Sequence, residues 1–173
     1  SARKALAIKY GAEWWNNPKA VSDILAAASP SVIYDRMLNA AHGWFSGFES
    51  DFKPLIKMHL IVHLSGGAFK SKLAKDFLKP LGLSAVLSNL FKPPKIMKKC
   101  AEWRGMSSWE CYKTWNGGQG AVVVVDKKDA GKFLKLAKKY RIAAKIAGKI
   151  FPRQKSFIVA IKSKFGDGKM LYY

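Results

Sequence analysis

The feature that most constrains this chain is a change of hydrophobic period across Ser65-Gly66-Gly67. Residues 57–64 form a short, largely apolar run, Met58-His59-Leu60-Ile61-Val62-His63-Leu64 at its centre, with the length of a buried strand. Beyond the glycines, Phe69, Leu73, Phe77 and Leu78 recur at helical spacing as far as Pro80. A strand therefore passes through a glycine turn into a helix, which points to a single soluble α/β domain.

The flanking segments read in the same way. Residues 1–41 are expected to be mostly helical, interrupted at Asn16-Asn17-Pro18 and at Ser29-Pro30-Ser31, with Val32, Ile33, Tyr34, Met37 and Leu38 as the apolar face of the second helix. The stretch from His42 to Pro54 has no clear period and reads as a loop anchored by Trp44, Phe45, Phe48 and Phe52. Residues 83–87 predict a short strand, and Pro93-Pro94 opens a helix through about Trp103. Ser107 and Glu110 have the spacing of a capping box, and the helix they start stops at Asn116-Gly117-Gly118. Ala121 to Val125 is a strand by β-branching, followed by a helix whose apolar side is Ala130, Phe133, Leu134, Ala137 and Tyr140 and whose other face is nearly all lysine. From Ile142 to Ile150 the period becomes two, which predicts a half-buried strand with Phe157, Val159 and Ile161 as its neighbour. Gly166-Asp167-Gly168 turns the chain into a last strand at Met170 to Tyr173.

Length and composition bound the function. The 173 residues suit one domain, and ten Phe, six Trp and six Tyr exclude a disordered basic tail. No apolar stretch is long enough to span a membrane and no signal-peptide pattern opens the chain, so a cytoplasmic location is expected. Cys100 and Cys111 are too few for a disulfide scaffold and fit no compact zinc spacing. His42, His59 and His63 form no close ligand array, and no metal site is expected. The 31 Lys and Arg against 11 Asp and Glu leave a net charge of +20, a field that attracts polyanions, a solvated basic surface or an acidic partner being the other readings.

The glycine turn carries the chemistry. Between a strand and a helix it lets backbone N–H groups approach an oxyanion, assisted by the positive end of the helix dipole. Ser65 can donate a hydroxyl hydrogen bond, Lys70 and Lys72 lie close in sequence, and His63 can donate to a phosphate or transfer a proton near neutral pH. No GxxxxGK[ST] loop, GxGxxG fingerprint or nucleophile elbow occurs, and acidic residues are too scattered to nominate a magnesium cage. Asn116 to Gly120 presents a helix carboxyl end, which repels anions and reads as a packing feature.

Taken in order, these segments resemble the carboxyl-terminal domain of the aminoimidazole ribonucleotide (AIR) synthetases, also called phosphoribosylformylglycinamidine cyclo-ligases. His63-Leu64-Ser65-Gly66-Gly67-Ala68 is similar to the family's His-Ile-Thr-Gly-Gly-Gly. Lys92-Pro93-Pro94-Lys95-Ile96 resembles Val-Pro-Pro-Ile-Phe, and Glu110 to Gly120 resembles Glu-Met-Tyr-Arg-Thr-Phe-Asn-Met-Gly-Ile-Gly, followed in both by a valine-rich strand. Pro30-Ser31-Val32-Ile33-Tyr34 resembles Pro-Thr-Arg-Ile-Tyr, and Ala2-Arg3-Lys4 the start of the domain's first helix. Ser65 keeps the hydroxyl of the family's threonine, whereas Ala68 replaces its third glycine, which would weaken binding at a position needing positive φ or close ligand approach.

The resemblance implies an α+β fold with α/β-type layers, a mixed β-sheet flanked by helices, over residues 1–173 as one domain. It implies a ligase of purine biosynthesis in which ATP phosphorylates the formyl amide oxygen of formylglycinamidine ribonucleotide and a nitrogen displaces phosphate to close the imidazole ring. His63 is then the catalytic candidate, and Ser65, Gly66 and Gly67 bind substrate or phosphate. ATP and Mg2+ are expected on an amino-terminal ATP-binding domain absent from this sequence, in an intact homodimer, with the present chain inactive alone. Formylglycinamidine ribonucleotide synthetase, selenophosphate synthetase and the hydrogenase maturation protein share the two-domain plan, but Tyr112 to Gly120 points to the cyclo-ligases. The competing reading is a non-catalytic module that binds nucleic acid through its lysines.

Overall fold

The amino-terminal part of the chain, as far as residue 42, is helical. The computed structural model describes residues 1–43 and 54–173. Helix α1 spans Ala2–Tyr10, α2 Val21–Ala27 and α3 Asp35–His42, with short tight turns at Trp14–Asn16 and Pro18–Ala20. Pro18 opens the second of these turns, and Asn17 caps it by accepting from the Lys19 N–H at 3.0 Å. The helix expected from Val32 starts only at Asp35, and Val32 and Ile33 stay exposed, at 66% and 79%, with no apolar face to pack. Met37 alone of the expected face is fully buried. Trp44, Phe45, Phe48 and Phe52 lie outside the described residues.

The strands form two sheets. Strand β1 (Met58–His63) pairs antiparallel with β3 (Ala121–Val125), setting Val62 opposite Val122 and His63 opposite Ala121. The larger sheet contains β2 (Leu83–Leu87), β4 (Lys149–Pro152), β5 (Val159–Lys162) and β6 (Met170–Tyr172) in the order β4-β2-β5-β6. Strand β2 is parallel to β5 and antiparallel to β4, so the sheet is mixed, and with the helices it makes an α+β fold.

Three expectations about the strands are corrected. Strand β1 alternates instead of being buried throughout, because a two-stranded sheet covers one face only: Val62 is buried while His59, Ile61 and His63 face outward. The alternating run from Ile142 pairs only from Lys149 onward. Its earlier part is fixed mainly by side chains, with Lys145 Nζ donating to Asn89 Oδ1 and the Leu90 carbonyl and Asn89 Nδ2 to the Ile146 carbonyl, beside one backbone bond from the Asn89 N–H to the Ala147 carbonyl at 3.0 Å. Finally, β4 and β5 are not neighbours, because β2 lies between them.

Between β1 and β2 the chain forms a wide helix, Phe69–Leu78, with i to i+5 hydrogen bonds such as Leu73 N–H to the Ala68 carbonyl at 2.9 Å. Such helices are rare and frequent at functional sites. Phe69, Leu73 and Leu78 are fully buried against Ala85, Val159 and Ile161, each large side chain contributing about 1.5–3 kcal/mol. Helix α4 (Lys95–Trp103) starts after Pro94, and α5 (Ser108–Thr114) carries the complete Ser107–Glu110 capping box. Tyr112 of α5 is fully buried, edge-on to Phe69 and Phe165 at 5.5 and 5.0 Å, and its hydroxyl accepts from the Lys164 N–H. One tyrosine thus holds the wide helix, α5 and the β5–β6 turn together. After β3, helix α6 (Ala130–Lys139) contacts α3 and buries Ala137. Cys100 and Cys111 are buried free thiols, that of Cys111 pushed up to about 11 by burial and the adjacent Glu110 carboxylate.

Candidate functional site

Three separate segments meet beside the end of β1. Leu64, Ser65 and Gly66 line a cavity of about 260 Å³ together with Met97 of α4 and Thr114, Trp115 and Asn116 at the end of α5. The Leu64 N–H donates to the Gly120 carbonyl at 2.9 Å, extending the β1–β3 ladder into the turn. Ala68 N–H then closes a four-residue turn onto the Ser65 carbonyl at 2.9 Å. Gly67 has φ 79°, the value the third position of a type II turn requires. Among the described residues neither the Gly66 nor the Gly67 N–H is taken by another hydrogen bond, so two backbone donors and the exposed Ser65 hydroxyl stand at the entrance to the wide helix.

The opposite wall is set by the segment after α5. Asn116 Nδ2 donates to the Leu64 carbonyl at 3.1 Å. The buried Gln119 side chain accepts from Phe91 N–H at 2.6 Å and donates to the Gly117 carbonyl at 2.5 Å, which locks the glycine-rich turn against the stretch leading to Pro93-Pro94. The packing role expected of this turn is therefore correct, yet Asn116 also faces the cavity. Sequence reasoning missed Met97, Thr114, Trp115 and Asn116 as lining residues; for the last three, membership of the matched 110–120 segment was the available signal.

The four residues nominated from sequence are not all in one place. Ser65 and Gly66 line the cavity, whereas Gly67 shapes the turn and His63 lies on the exposed face of β1. His63 Nδ1 and the Tyr34 hydroxyl share a hydrogen bond, and the hydroxyl donates to the Gly120 carbonyl at 3.1 Å. Four residues earlier on that face, His59 Nε2 meets Asp126 Oδ1 at 3.0 Å, and this contact holds the Asp126 carboxyl below its ordinary range. Neither nearby lysine lines the cavity: Lys72 pairs with Asp76 at 3.4 Å, and Lys70 lies 5.1 Å over the Trp109 ring, which Lys113 also approaches at 5.2 Å. Ala68 is fully buried in the core with φ 14°, outside the left-handed region, so its methyl group does not crowd the cavity.

Uncharged donors around a small cavity suit one phosphate-sized anion. The volume is below the roughly 300–1,000 Å³ of sites that engulf a small molecule. Among the described residues no three His, Cys, Asp or Glu side chains assemble to hold a metal ion, and no carboxylate lines the cavity. No helix among them is long and apolar enough to cross a membrane.

Fold and site define an α+β domain with an anion-sized cavity at a strand–glycine–helix junction. Residues 54–161 match the family described as AIR synthase related protein, C-terminal domain, and the chain belongs to that family. It is 32% identical over 97 residues to a phosphoribosylformylglycinamidine cyclo-ligase of Methanocaldococcus jannaschii, covering 55% of this chain and 26% of that protein. The enzyme of the same name from Methanosarcina barkeri is 29% identical over 141 residues, covering 79% and 34%. That of Staphylococcus aureus is 27% identical over 107 residues, covering 61% and 31%. The matched regions span between a quarter and about a third of these relatives.

Proposed function

We propose that this chain forms the substrate-facing wall of an ATP-dependent phosphoribosylformylglycinamidine cyclo-ligase of purine biosynthesis. One observation carries the reading: two segments that resemble the cyclo-ligases, 63–68 and 110–120, far apart in sequence, converge on a single cavity lined by Ser65, Gly66 and Asn116, with Met97, the residue after the matched 92–96 segment, beside them. The Ser65 hydroxyl and the Gly66 and Gly67 N–H groups hold phosphate oxygens of the phosphorylated ribonucleotide or of its activated amide. His63, one residue before the cavity wall, takes the proton that the attacking nitrogen loses as the ring closes and phosphate departs. ATP and Mg2+ are assigned to an amino-terminal domain, and an intact homodimer in the cytoplasm completes the reading. Met97 and Trp115 give the cavity an apolar side.

The test is reconstitution. The chain is mixed with the ATP-binding portion of the Methanocaldococcus jannaschii cyclo-ligase, and formation of AIR, ADP and phosphate from formylglycinamidine ribonucleotide and ATP is followed. Turnover is expected in the mixture, not with either part alone, and is expected to fall about 100-fold or more in His63→Ala. A folded, mutually bound pair without turnover would count decisively against the reading.

A second reading rests on α6. Lys132, Lys135 and Lys139 follow one another at helical spacing on an exposed face, with Lys127 and Lys128 just before the helix. Among the described residues Lys132 pairs with Asp129 at 3.8 Å, and Lys128 lies close enough to Asp126 to help lower its carboxyl pKa. Such a row fits a nucleic-acid backbone, used beside the cyclo-ligase site or in place of it.

A further inference from the structure

Tyr34 stands 29 residues before His63, at the residue immediately before α3. Its hydroxyl oxygen makes two contacts, one with His63 Nδ1 and one with the Gly120 carbonyl at 3.1 Å. A phenol has a single proton to donate, and a carbonyl can only accept. Were that proton directed to Nδ1, the phenol and carbonyl oxygens would face each other with lone pairs on both. Directed to Gly120, it makes one hydrogen bond, and Nδ1 completes the second by donating its own proton to Oη. Only this arrangement satisfies both contacts. Burial raises the Tyr34 pKa, so the hydroxyl keeps its proton.

We infer that Tyr34 is a positioning residue that fixes His63 in the Nδ1–H tautomer and leaves a lone pair on Nε2. The inference rests on the proton-transfer role proposed for His63. Neutral His63 is then an acceptor at its exposed end and not a donor to phosphate. In the ring closure the substrate nitrogen gives its proton to Nε2 as the C–N bond forms, and phosphate leaves with the electrons of its C–O bond. The resulting imidazolium keeps its Nδ1–H on Tyr34. Gly120 makes room for the relay, since a Cβ there would lie 2.9 Å from Tyr34 Cε1.

The tautomer is read directly on the ¹⁵N-labelled chain by long-range proton–nitrogen correlation of the imidazole rings, with His63→Gln assigning the signals. The neutral ring is expected to show a protonated Nδ1 and an unprotonated Nε2. Tyr34→Phe keeps the ring and is expected to turn His63 to the Nε2–H form. Gly120→Ala displaces the tyrosine ring with its hydroxyl present and is expected to do the same. An Nε2–H form in the unaltered chain, or a pattern that neither substitution moves, overturns the inference. In the reconstituted enzyme, Tyr34→Phe is expected to lower kcat about tenfold with KM unchanged; a kcat equal to that of the unaltered chain also overturns it. An inactive mixture in which the unaltered chain shows the Nδ1–H form sinks the ligase reading alone.

Discussion

The Asn116 carboxamide donates to the Leu64 carbonyl across 3.1 Å and so joins the turn after α5 to the turn after β1, 52 residues away in sequence. Its oxygen accepts from the Gly118 N–H at 2.9 Å. One side chain therefore satisfies a donor and an acceptor in two backbone segments while forming a wall of the cavity.

Replacing it separates the two roles. Asn116→Ala leaves both backbone groups without this partner and is expected to lose about 1–2 kcal/mol in a urea melt. Asn116→Asp keeps an acceptor for Gly118 but turns a carboxylate toward the Leu64 carbonyl and places negative charge at the proposed phosphate site. Titration with inorganic phosphate should show weaker binding by Asn116→Asp than by Asn116→Ala. Equal affinities for the two variants would mean that the anion does not sit here.

The two glycines of the turn are expected to respond in opposite ways. A Cβ on Gly67 would lie 2.8 Å from Ser71 Oγ at a φ of 79°, so Gly67→Ala is expected to cost roughly 1–3 kcal/mol of stability. A Cβ on Gly66 would meet nothing within 4 Å, and Gly66→Ala should melt within about 0.5 kcal/mol of the unaltered chain. It adds a methyl group to the donor wall, however, so phosphate affinity should drop although the fold is intact. Unchanged affinity in Gly66→Ala would remove that residue from the site.

These relationships differ in how far the sequence discloses them. Local signals sufficed where a residue acts on its own neighbours: Pro94 before α4, Ser107 with Glu110 at α5, and the valines of β3 all predict elements that form. The alternation from Ile142 to Gly148 does not make a strand because a period of two predicts one only where an edge is free to pair, and this stretch is held mostly by the Asn89 and Lys145 side chains, with a single backbone bond at Ala147. The i to i+5 bonding of the wide helix leaves the same apolar marks as an α-helix over so short a run. The site was half legible. Ser65 to Gly67 announces itself by glycine, but nothing local brings Tyr34 to His63 or Met97 to Ser65, since both depend on how β1 and β3 pair.

The lysine row of α6 makes a prediction that ionic strength can test. If Lys132, Lys135 and Lys139 contact a nucleic-acid backbone, the logarithm of affinity for a short RNA should fall linearly with the logarithm of salt. Changing the three to Gln should reduce that slope by about 2–3, one counterion per lost contact. Because all three are exposed, thermal stability should remain within about 0.5 kcal/mol per site. A slope unaffected by the triple change would place any RNA binding elsewhere on the surface.

Asp23 governs how the amino-terminal helices respond to acid. Its buried carboxylate accepts from Lys99 of α4 and from the Tyr10 hydroxyl at the end of α1, both at 2.7 Å. The Lys99 ammonium, followed by the tyrosine hydroxyl, holds the Asp23 carboxyl below its ordinary value. A depressed carboxyl pKa adds stability that is fully present above the unfolded value, near pH 4, and is lost as pH falls through the lower folded value. Between about pH 5 and 8 the tether should therefore be constant. Below about pH 4 amide exchange in α1 should accelerate before that of the wide helix. Because Lys99 is half exposed, Asp23→Asn should cost only about 1 kcal/mol at neutral pH. Glu110 of the α5 capping box also has a lowered pKa and weakens in the same acid range. The Asp23→Asn chain isolates the tether from it: α1 exchange should already be fast at pH 7 and should lose its step below pH 4. A step of unchanged size in that variant would assign the acid response of α1 to another carboxylate.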